Sequence, residues 1–189
     1  MSPQQIADEV FKLYELHGDD DYIGEPVSQL EHMTQAAGLA IAEGYDDEVV
    51  LAAFFHDIGH LCAVSEEVAS MNGFGNVDHE GLGANYLLQK GFSPRVAELV
   101  KSHVMAKRYL TFSNPDYYNK LSPASKATLE FQGGMMSAEE AAAFEANPDK
   151  DLIIRFRYWD DEAKLTDVPV TNIPQLKQMA IDHLTNRQA

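Results

Sequence analysis

The stretch LAAFFHDIGH, at residues 51–60, places the adjacent pair His56 and Asp57 among apolar side chains. A helix that is apolar all round is expected to be buried, and a buried ionised aspartate is costly unless a partner or a metal ion compensates its charge. Neighbouring side chains of a helix point about 100° apart, so His56 and Asp57 are not expected to bind one ion in the same way. Two metal ions resolve this, with His56 on one ion and Asp57 bridging both. The alternative is a core histidine beside an ordinary aspartate.

Three further histidines extend the pattern on both sides of this pair. His32, His79 and His103 lie, together with His56, at successive spacings of 24, 23 and 24 residues. Each of the four falls in a predicted buried helix or at the start of one. The repeated placement of imidazoles around the His56-Asp57 pair favours the metal interpretation over the core-histidine interpretation.

The sequence leaves the remaining polar candidates more open. Asp160 and Asp161 follow the apolar stretch 153–159, and one of them is expected to face inward, although both also fit the surface of a helix end. His60 is expected behind the ligands or in the core, and His183 at the surface. A set of imidazoles and carboxylates without thiolate suits iron, manganese or zinc. Both an oxygenase with redox-active iron and a phosphohydrolase with a metal-bound water therefore remain possible from the residues.

Helix start signals recur along the chain. Ser28 with Glu31 forms a capping-box pattern, and Ser93 before Pro94 is a strong helix start. A further helix is predicted to begin near Asp46 and to run without interruption through LAAFFHDIGH. These signals, with apolar residues at helical spacing between them, predict a chain made mainly of helices.

Loops and one ambiguous segment complete the organisation. Loops are predicted over residues 63–78 and 113–118. The apolar and basic segment 151–164 fits either a helix or a strand on propensity, and its position after a short acidic helix favours a helix. No linker or repeat divides the chain. The sequence therefore predicts an all-α fold with residues 1–189 in a single domain.

Composition limits the partners and the location. The 189 residues carry a net charge of −16, which repels phosphate backbones and anionic lipid, so neither nucleic acid nor a membrane surface is expected as a partner. Cys62 is the single cysteine, which excludes an internal disulfide and a thiolate-cluster metal site. Neither a signal peptide nor an apolar run long enough to span a membrane is recognised. A cytoplasmic protein is expected.

Six collinear segments resemble the HD-domain superfamily and, within it, the mixed-valent diiron oxygenases that cleave phosphonates, which are relatives of inositol oxygenase. The resemblance covers the chain from about residue 20 to about residue 170. One His-Asp pair is weak evidence, whereas six segments at compatible spacing are strong evidence. The segments are DYIGEPVSQLEHM, LAAFFHDIGH, GFGNVDHEGLGANYL, HVMAKRYL, LSPASKATLEFQGGMM and RYWDDEAKLTD.

The resemblance implies a fold, a cofactor and a set of ligands. The fold is an HD-domain helical bundle with a buried dinuclear metal site. The cofactor is a pair of iron ions in the mixed-valent Fe(II)/Fe(III) state, with O2 as co-substrate. The implied iron ligands, with Asp57 bridging, are His32, His56, Asp57, His79, His103 and Asp160.

The resemblance also implies roles for residues around the metals. Tyr22 and Glu25 are implied as catalytic and substrate-binding residues of one loop. The tyrosine covers an iron in the resting enzyme, and the glutamate meets the amino end of the substrate. The residues implied to hold the phosphonate are Lys107, Ser125, Thr128, Gln132 and Arg157. Lysine and arginine make physical sense here, because a phosphonate dianion needs local cations in a protein of net negative charge.

The implied reaction joins O2 to a 1-hydroxy-2-aminoethylphosphonate-type substrate and yields phosphate and an amino-acid-type carboxylate. The N-trimethylated substrate, giving glycine betaine, is slightly favoured over the primary amine, giving glycine, because residues 61–64 offer no strong polar acceptor. The alternative function is an HD phosphohydrolase acting on a nucleotide or phosphoester. An inactive HD fold used as a binding module is disfavoured, because every ligand position is filled.

Overall fold

The computed structural model describes residues 1–22, 24–62 and 78–188. Within these ranges the chain forms eleven helices and no strand, which confirms the predicted all-α fold. The loop predicted over 63–78 lies outside the described residues except for Asp78. The helices are α1 (Pro3–His17), α2 (Gln29–Ala42), α3 (Asp47–Phe55), α4 (Ile58–Cys62), α5 (His79–Gln89), α6 (Pro94–Ser113), α7 (Pro115–Lys120), α8 (Pro123–Phe131), α9 (Ala138–Glu145), α10 (Lys150–Glu162) and α11 (Ile173–Gln188).

The predicted helix starts are confirmed by their hydrogen bonds. Ser28 caps α2 in a reciprocal capping box with Glu31, and Ser93 caps α6 with Pro94 in its first turn. The ambiguous segment 151–164 is helical over most of its length, as α10. These caps satisfy backbone N–H groups that would otherwise lack partners.

Helix α3 forms the centre of the hydrophobic core. Every residue from Val49 to Phe55 is buried, as expected for a helix that is apolar on all sides. It packs against α2, α6, α10 and α11. None of the helices in the described ranges combines the length and the apolarity needed to cross a bilayer.

The prediction of one unbroken helix through LAAFFHDIGH is wrong. Helix α3 ends at Phe55 and α4 begins at Ile58, so His56 and Asp57 lie in a turn between them. The His56 Nδ1–H donates to the carbonyl of Ala53 at 2.8 Å, which in a continuous helix would accept from the backbone N–H of Asp57. The equivalent bond from His103 to the carbonyl of Val100 lies within the unbroken helix α6, so this bond alone does not account for the break. The turn carries two of the candidate metal ligands.

Two smaller predictions are also wrong. Residues Pro115–Lys120 form the short helix α7 instead of a loop, because Asn114 caps it and Pro115 occupies its first turn. His183 is largely buried instead of lying at the surface. Its Nε2 accepts from the backbone N–H of Ser93 at 3.1 Å, and its ring stacks on Phe92.

Candidate metal centre

The histidines and carboxylates singled out in the sequence meet at one buried place. They arrive from α2, the turn between α3 and α4, the first residue of α5, the middle of α6 and the end of α10. All of them are almost completely shielded from solvent. The six residues are His32, His56, Asp57, His79, His103 and Asp160.

One half of this cluster consists of His32, His56 and Asp160. Their ligand atoms all lie within 4.8 Å of one another. The Nε2 atoms of His32 and His56 are 3.0 Å apart, and the Oδ1 atom of Asp160 is 3.4 Å from Nε2 of His32. That Oδ1 atom is buried and has no hydrogen-bond partner within the described part of the chain. Three donor atoms therefore surround one small space.

The other half consists of His79 and His103, and Asp57 lies between the halves. The Nε2 atoms of His79 and His103 are 3.1 Å apart and lie 3.2 Å and 3.4 Å from Oδ1 of Asp57. The second oxygen of Asp57, Oδ2, is 3.4 Å from Nε2 of His56. One carboxylate thus turns one oxygen to each half of the cluster.

The protonation of the rings tests whether these residues suit metal ions. The Nδ1–H groups of His32, His56 and His103 donate to the backbone carbonyls of Ala163, Ala53 and Val100. The lone pair of each Nε2 atom therefore points into the cluster. There the Nε2 atom of His32 faces that of His56, and the Nε2 atom of His103 faces that of His79. Lone pairs that face each other at 3.0 Å repel unless a cation lies between them. A fixed Nδ1–H tautomer is also how proteins orient metal-binding histidines, so the residues fit a pair of metal ions.

The pKa values of His56 and Asp57 show that the buried carboxylates favour positive charge on the neighbouring rings. Burial would lower the pKa of His56, but the carboxylates of Asp57 and Asp160 raise it to about 9. Burial would raise the pKa of Asp57, yet the His56 charge and the hydrogen bonds from His103 and His79 hold it well below its usual range. The neighbouring Arg157 likewise holds the pKa of Asp160 well below its usual range against the effect of burial. Both carboxylates are therefore ionised in the interior, and Arg157 together with protons or metal ions at the rings compensates their charge.

Of the two candidate acids in α10, Asp160 is the one that faces the histidines. Its Oδ2 accepts from Arg157, whose guanidinium also donates to Asp161 and, at 2.9 Å, to the hydroxyl of Tyr117. Tyr117 donates in turn to Asp161 at 2.6 Å. The sequence suggested Arg157 as a phosphonate contact. The structure places its guanidinium against Asp160, where it fixes one carboxylate oxygen and leaves the other directed at His32.

The Tyr22 loop covers the His32 side of the cluster. A turn at Gly24, whose φ is +81°, connects Tyr22 with Glu25, and such a positive φ favours glycine. The Tyr22 ring stacks on the His32 ring with centroids 4.0 Å apart. Burial, followed by the nearby carboxylates of Asp57 and Asp160, raises the pKa of Tyr22 well above its usual value. The phenol therefore stays protonated beside the carboxylates in the absence of a cation.

Lys107 of α6 and Thr128 of α8 form a polar pair near the carboxylates of the metal cluster. Lys107 is buried, and its ammonium donates to the hydroxyl of Thr128 at 3.0 Å. Thr128 donates to the carbonyl of Ser125. The Oε1 atom of Gln132 is buried and finds no hydrogen-bond partner among the described residues. A buried ammonium beside a hydroxyl is suited to an anion.

Sequence reasoning missed or underrated some residues of the site. His60 stacks on His79 with ring centroids 4.1 Å apart, and one of its ring nitrogens lies within 4.8 Å of ligand atoms of Asp57 and His79. Lys164 was not considered, although its ammonium lies 2.8 Å from Glu25. No periodicity marks Lys164, because the pair joins residues 139 positions apart in the chain.

Comparison with known proteins agrees with this architecture. The HD-domain family pattern matches residues 30–146. The chain belongs to the HD-domain family. This match spans five of the six clustered residues, all except Asp160.

Three similar proteins extend the comparison over nearly the whole chain. The [1-hydroxy-2-(trimethylamino)ethyl]phosphonate dioxygenase (glycine-betaine-forming) of Leisingera caerulea is 37% identical over 95% of this chain and 92% of that protein. The hydroxymethylphosphonate dioxygenase of Gimesia maris is 40% identical over 92% of this chain and 86% of that protein. An uncharacterized protein of Acanthamoeba polyphaga mimivirus is 39% identical over 96% of this chain and 83% of that protein. This HD protein is thus similar to two phosphonate dioxygenases, as the sequence resemblance implied.

Proposed function

We propose that this HD protein is an O2-dependent dioxygenase that cleaves the C–P bond of a 1-hydroxyphosphonate. The observation that carries the proposal is the Asp57 carboxylate, which turns one oxygen to each of two groups of inward-facing imidazoles. A single carboxylate between two groups of ligands is suited to a pair of metal ions. The similarity to two phosphonate dioxygenases supports the reaction class.

The proposed cofactor is a pair of iron ions in the Fe(II)/Fe(III) state. When bound, the iron pair would supply the redox chemistry by which O2 oxidises the carbon that bears the hydroxyl group. The chain's own contribution is to shield both halves of the cluster from water and to fix the tautomers of His32, His56 and His103. The proposed ligands are His32, His56, Asp57, His79, His103 and Asp160.

The overall reaction balances with one O2 for each phosphonate. A 1-hydroxyphosphonate and O2 yield a carboxylic acid and inorganic phosphate, so the C–P bond breaks and both oxygen atoms enter the products. The leaving phosphoryl group carries negative charge throughout. Buried cations and hydrogen-bond donors near it therefore stabilise both the bound substrate and the departing phosphate.

The polar pair near the cluster is proposed to take part in binding the phosphonate. Lys107 would provide the charge, while Ser125, Thr128 and Gln132 would complete the hydrogen bonds. Arg157 would act on the same side, with its free N–H positions near the anion and its bond to Asp160 retained. Tyr22 is proposed to cover the His32 side of the metal pair until substrate displaces it.

Within this class we favour the N-trimethylated substrate over the primary amine. A quaternary ammonium has no hydrogen to donate and is held by carboxylate charge and aromatic faces. Glu25 offers charge, and the Tyr22 ring offers a face. A primary ammonium would also need an acceptor, and it would share the Glu25 carboxylate with Ser122 and Lys164, which donate to its Oε1 atom at 2.6 Å and 2.8 Å.

The domain organisation and the location of the protein belong to the same proposed function. We propose that residues 1–189 act as one HD domain, because α1 packs on α11 and α11 packs on α3, beyond the matched residues 30–146. The partner would be a small organophosphonate in the cytoplasm, as part of phosphonate catabolism. The net charge of −16 disfavours nucleic acid and anionic membranes as partners.

Phosphate release tests the proposal. The protein, loaded with iron in the presence of ascorbate, is given hydroxymethylphosphonate, 1-hydroxy-2-aminoethylphosphonate or the N-trimethylated analogue, with and without O2. Phosphate that appears only with O2, together with the matching carboxylate, is expected. Phosphate released equally without O2 from phosphoesters would instead support a phosphohydrolase with a metal-bound water.

A further inference from the structure

We infer that Lys164 is a specificity-determining residue, because its ammonium occupies the carboxylate of Glu25 that a primary-amine substrate would need. The inference rests on the proposed function and concerns the end of the substrate opposite the phosphonate. It assigns to Lys164 the exclusion of one class of substrate, those that carry a primary ammonium group, in favour of those with a quaternary ammonium or no amine.

The Glu25 carboxylate is occupied from two sides. Its Oε1 atom accepts from the hydroxyl of Ser122 at 2.6 Å and from Nζ of Lys164 at 2.8 Å. The side chains of Glu25 and Lys164 are only 9% and 15% exposed. An ion pair so far removed from water is much less screened than a surface pair. A ligand that binds this carboxylate by hydrogen bonds must therefore compete with Lys164.

Lys164 lies close to the metal cluster. It follows Ala163, whose carbonyl accepts from Nδ1 of His32. Its ammonium lies 5.8 Å from the centre of the Tyr22 ring, and that ring stacks on His32. The His32 imidazole, the Tyr22 ring and the Lys164 ammonium thus lie in this order, with His32 in the cluster and Lys164 farthest from it. A substrate that displaces Tyr22 would bring its far end towards the Glu25 and Lys164 pair.

The chemistry of the two possible ammonium groups makes the consequence specific. A primary ammonium binds a carboxylate through close hydrogen bonds, so it would lie beside the Lys164 ammonium that already donates to Oε1 of Glu25. A trimethylammonium group donates none and its methyl groups hold its charge farther from the carboxylate, so the Lys164 charge opposes it less. A substrate without an amine needs neither, and Lys164 then keeps Glu25 neutralised. Lys164 therefore penalises the primary amine most.

The substitution Lys164→Met tests this inference by substrate comparison. Removal of the ammonium frees Glu25 while the long apolar stem is retained. The ratio of kcat/KM for 1-hydroxy-2-aminoethylphosphonate to that for hydroxymethylphosphonate is expected to rise about tenfold, the usual scale for one hydrogen bond to a charged group. The corresponding ratio for the trimethylated substrate is expected to rise less. Equilibrium binding measured without O2 is expected to give the same order of changes.

Two variants control for a merely structural effect. Lys164→Arg keeps the charge and is expected to retain the wild-type ratio. Lys177→Met removes a lysine from a surface pair with Asp8 and is expected to leave all three substrates unchanged. A disturbed loop would lower kcat/KM for every substrate by the same factor, because all share the hydroxyl and the phosphonate. That outcome, or an unchanged ratio in Lys164→Met, overturns the role of Lys164.

The same experiment separates this inference from the proposed function. Wild-type protein that releases phosphate with O2, combined with an unchanged ratio in Lys164→Met, refutes only the role of Lys164. Iron-loaded wild-type protein that neither binds nor cleaves any of the three phosphonates refutes the proposed function, and the role of Lys164 is refuted with it.

Discussion

At the scale of single residues, the proposed role of the buried Lys107 in phosphonate binding predicts a dependence on pH. Burial and the neighbouring Arg157 lower the pKa of Lys107 to about 7, while the carboxylates of Asp160, Asp161 and Asp57 act in the opposite direction. The ammonium is therefore charged below pH 7 and becomes neutral above it. A neutral amine no longer attracts the phosphonate dianion, so we expect the dissociation constant of the phosphonate to increase as the pH rises from about 6 to about 8.5.

The variant Lys107→Arg provides the control for this prediction, because its guanidinium remains charged over the whole pH range. The phosphonate itself loses a proton in the same range, and this change affects both proteins equally. We therefore expect the ratio of the dissociation constants, wild type over Lys107→Arg, to rise with pH in binding measured without O2. A ratio that stays flat would show that Lys107 does not titrate beside the phosphonate.

The spacing of the histidines predicted which imidazoles meet, but it could not predict the network behind them. The intervals of 24, 23 and 24 residues placed His32, His56, His79 and His103 on successive buried elements, and the structure brings all four together. The choice between Asp160 and Asp161 depends on the bonds that each makes to Arg157 and Tyr117. The guanidinium contacts depend on how α7 packs beside α10, which the sequence pattern does not encode.

At the scale of elements, the close contact between α4 and α5 positions one side of the cluster. A Cβ atom added at Gly59 would lie 1.9 Å from the carbonyl oxygen of His79 and 3.0 Å from the backbone N of Gly83. The substitution Gly59→Ala must therefore push the first turn of α5 away from α4. We expect it to destabilise the protein by about 1–3 kcal/mol and to lower the metal content, because His79 moves with that turn.

A glycine in an open position makes the matched control for this substitution. At Gly38, in α2, the nearest atom to an added Cβ is Nδ2 of Asn172, at 4.0 Å. We expect Gly38→Ala to retain full metal content and to be neutral or slightly stabilising, because alanine favours a helix over glycine. Chemical denaturation and metal analysis of both variants measure these effects. Equal behaviour of Gly59→Ala and Gly38→Ala would contradict the argument from close contact.

The helices themselves were largely predictable, because their starts depend on local signals. Ser28, Ser93 and Ser137 each cap a helix as their sequence contexts indicate. The break at His56 was not predictable from periodicity. Buried apolar residues continue on both sides of the turn, at Phe54, Phe55 and Ile58, so hydrophobic periodicity gives no signal for it.

At the scale of the whole molecule, the cluster ties together elements that are far apart in the chain. Its residues run from His32 in α2 to Asp160 in α10. In the absence of a metal ion, protons on the rings compensate the Asp57 carboxylate, and Arg157 also compensates that of Asp160. An ion that binds the folded chain and not the unfolded one stabilises the whole fold by mass action, about 4 kcal/mol when its concentration is a thousand times its dissociation constant.

We therefore expect removal of metal by a chelator to lower the unfolding temperature by about 10 °C, since each kcal/mol corresponds to roughly 2–4 °C in a chain of this size. Reloading with iron is expected to restore it. The variant His56→Ala should lose most of the bound metal and show little further change with chelator, because it lacks a ring of the cluster. His17→Ala alters a partly exposed histidine at the end of α1 and should behave as the wild type. Full metal content in His56→Ala would show that the cluster does not bind the metal. A wild-type unfolding temperature that is unchanged by the chelator would show the same.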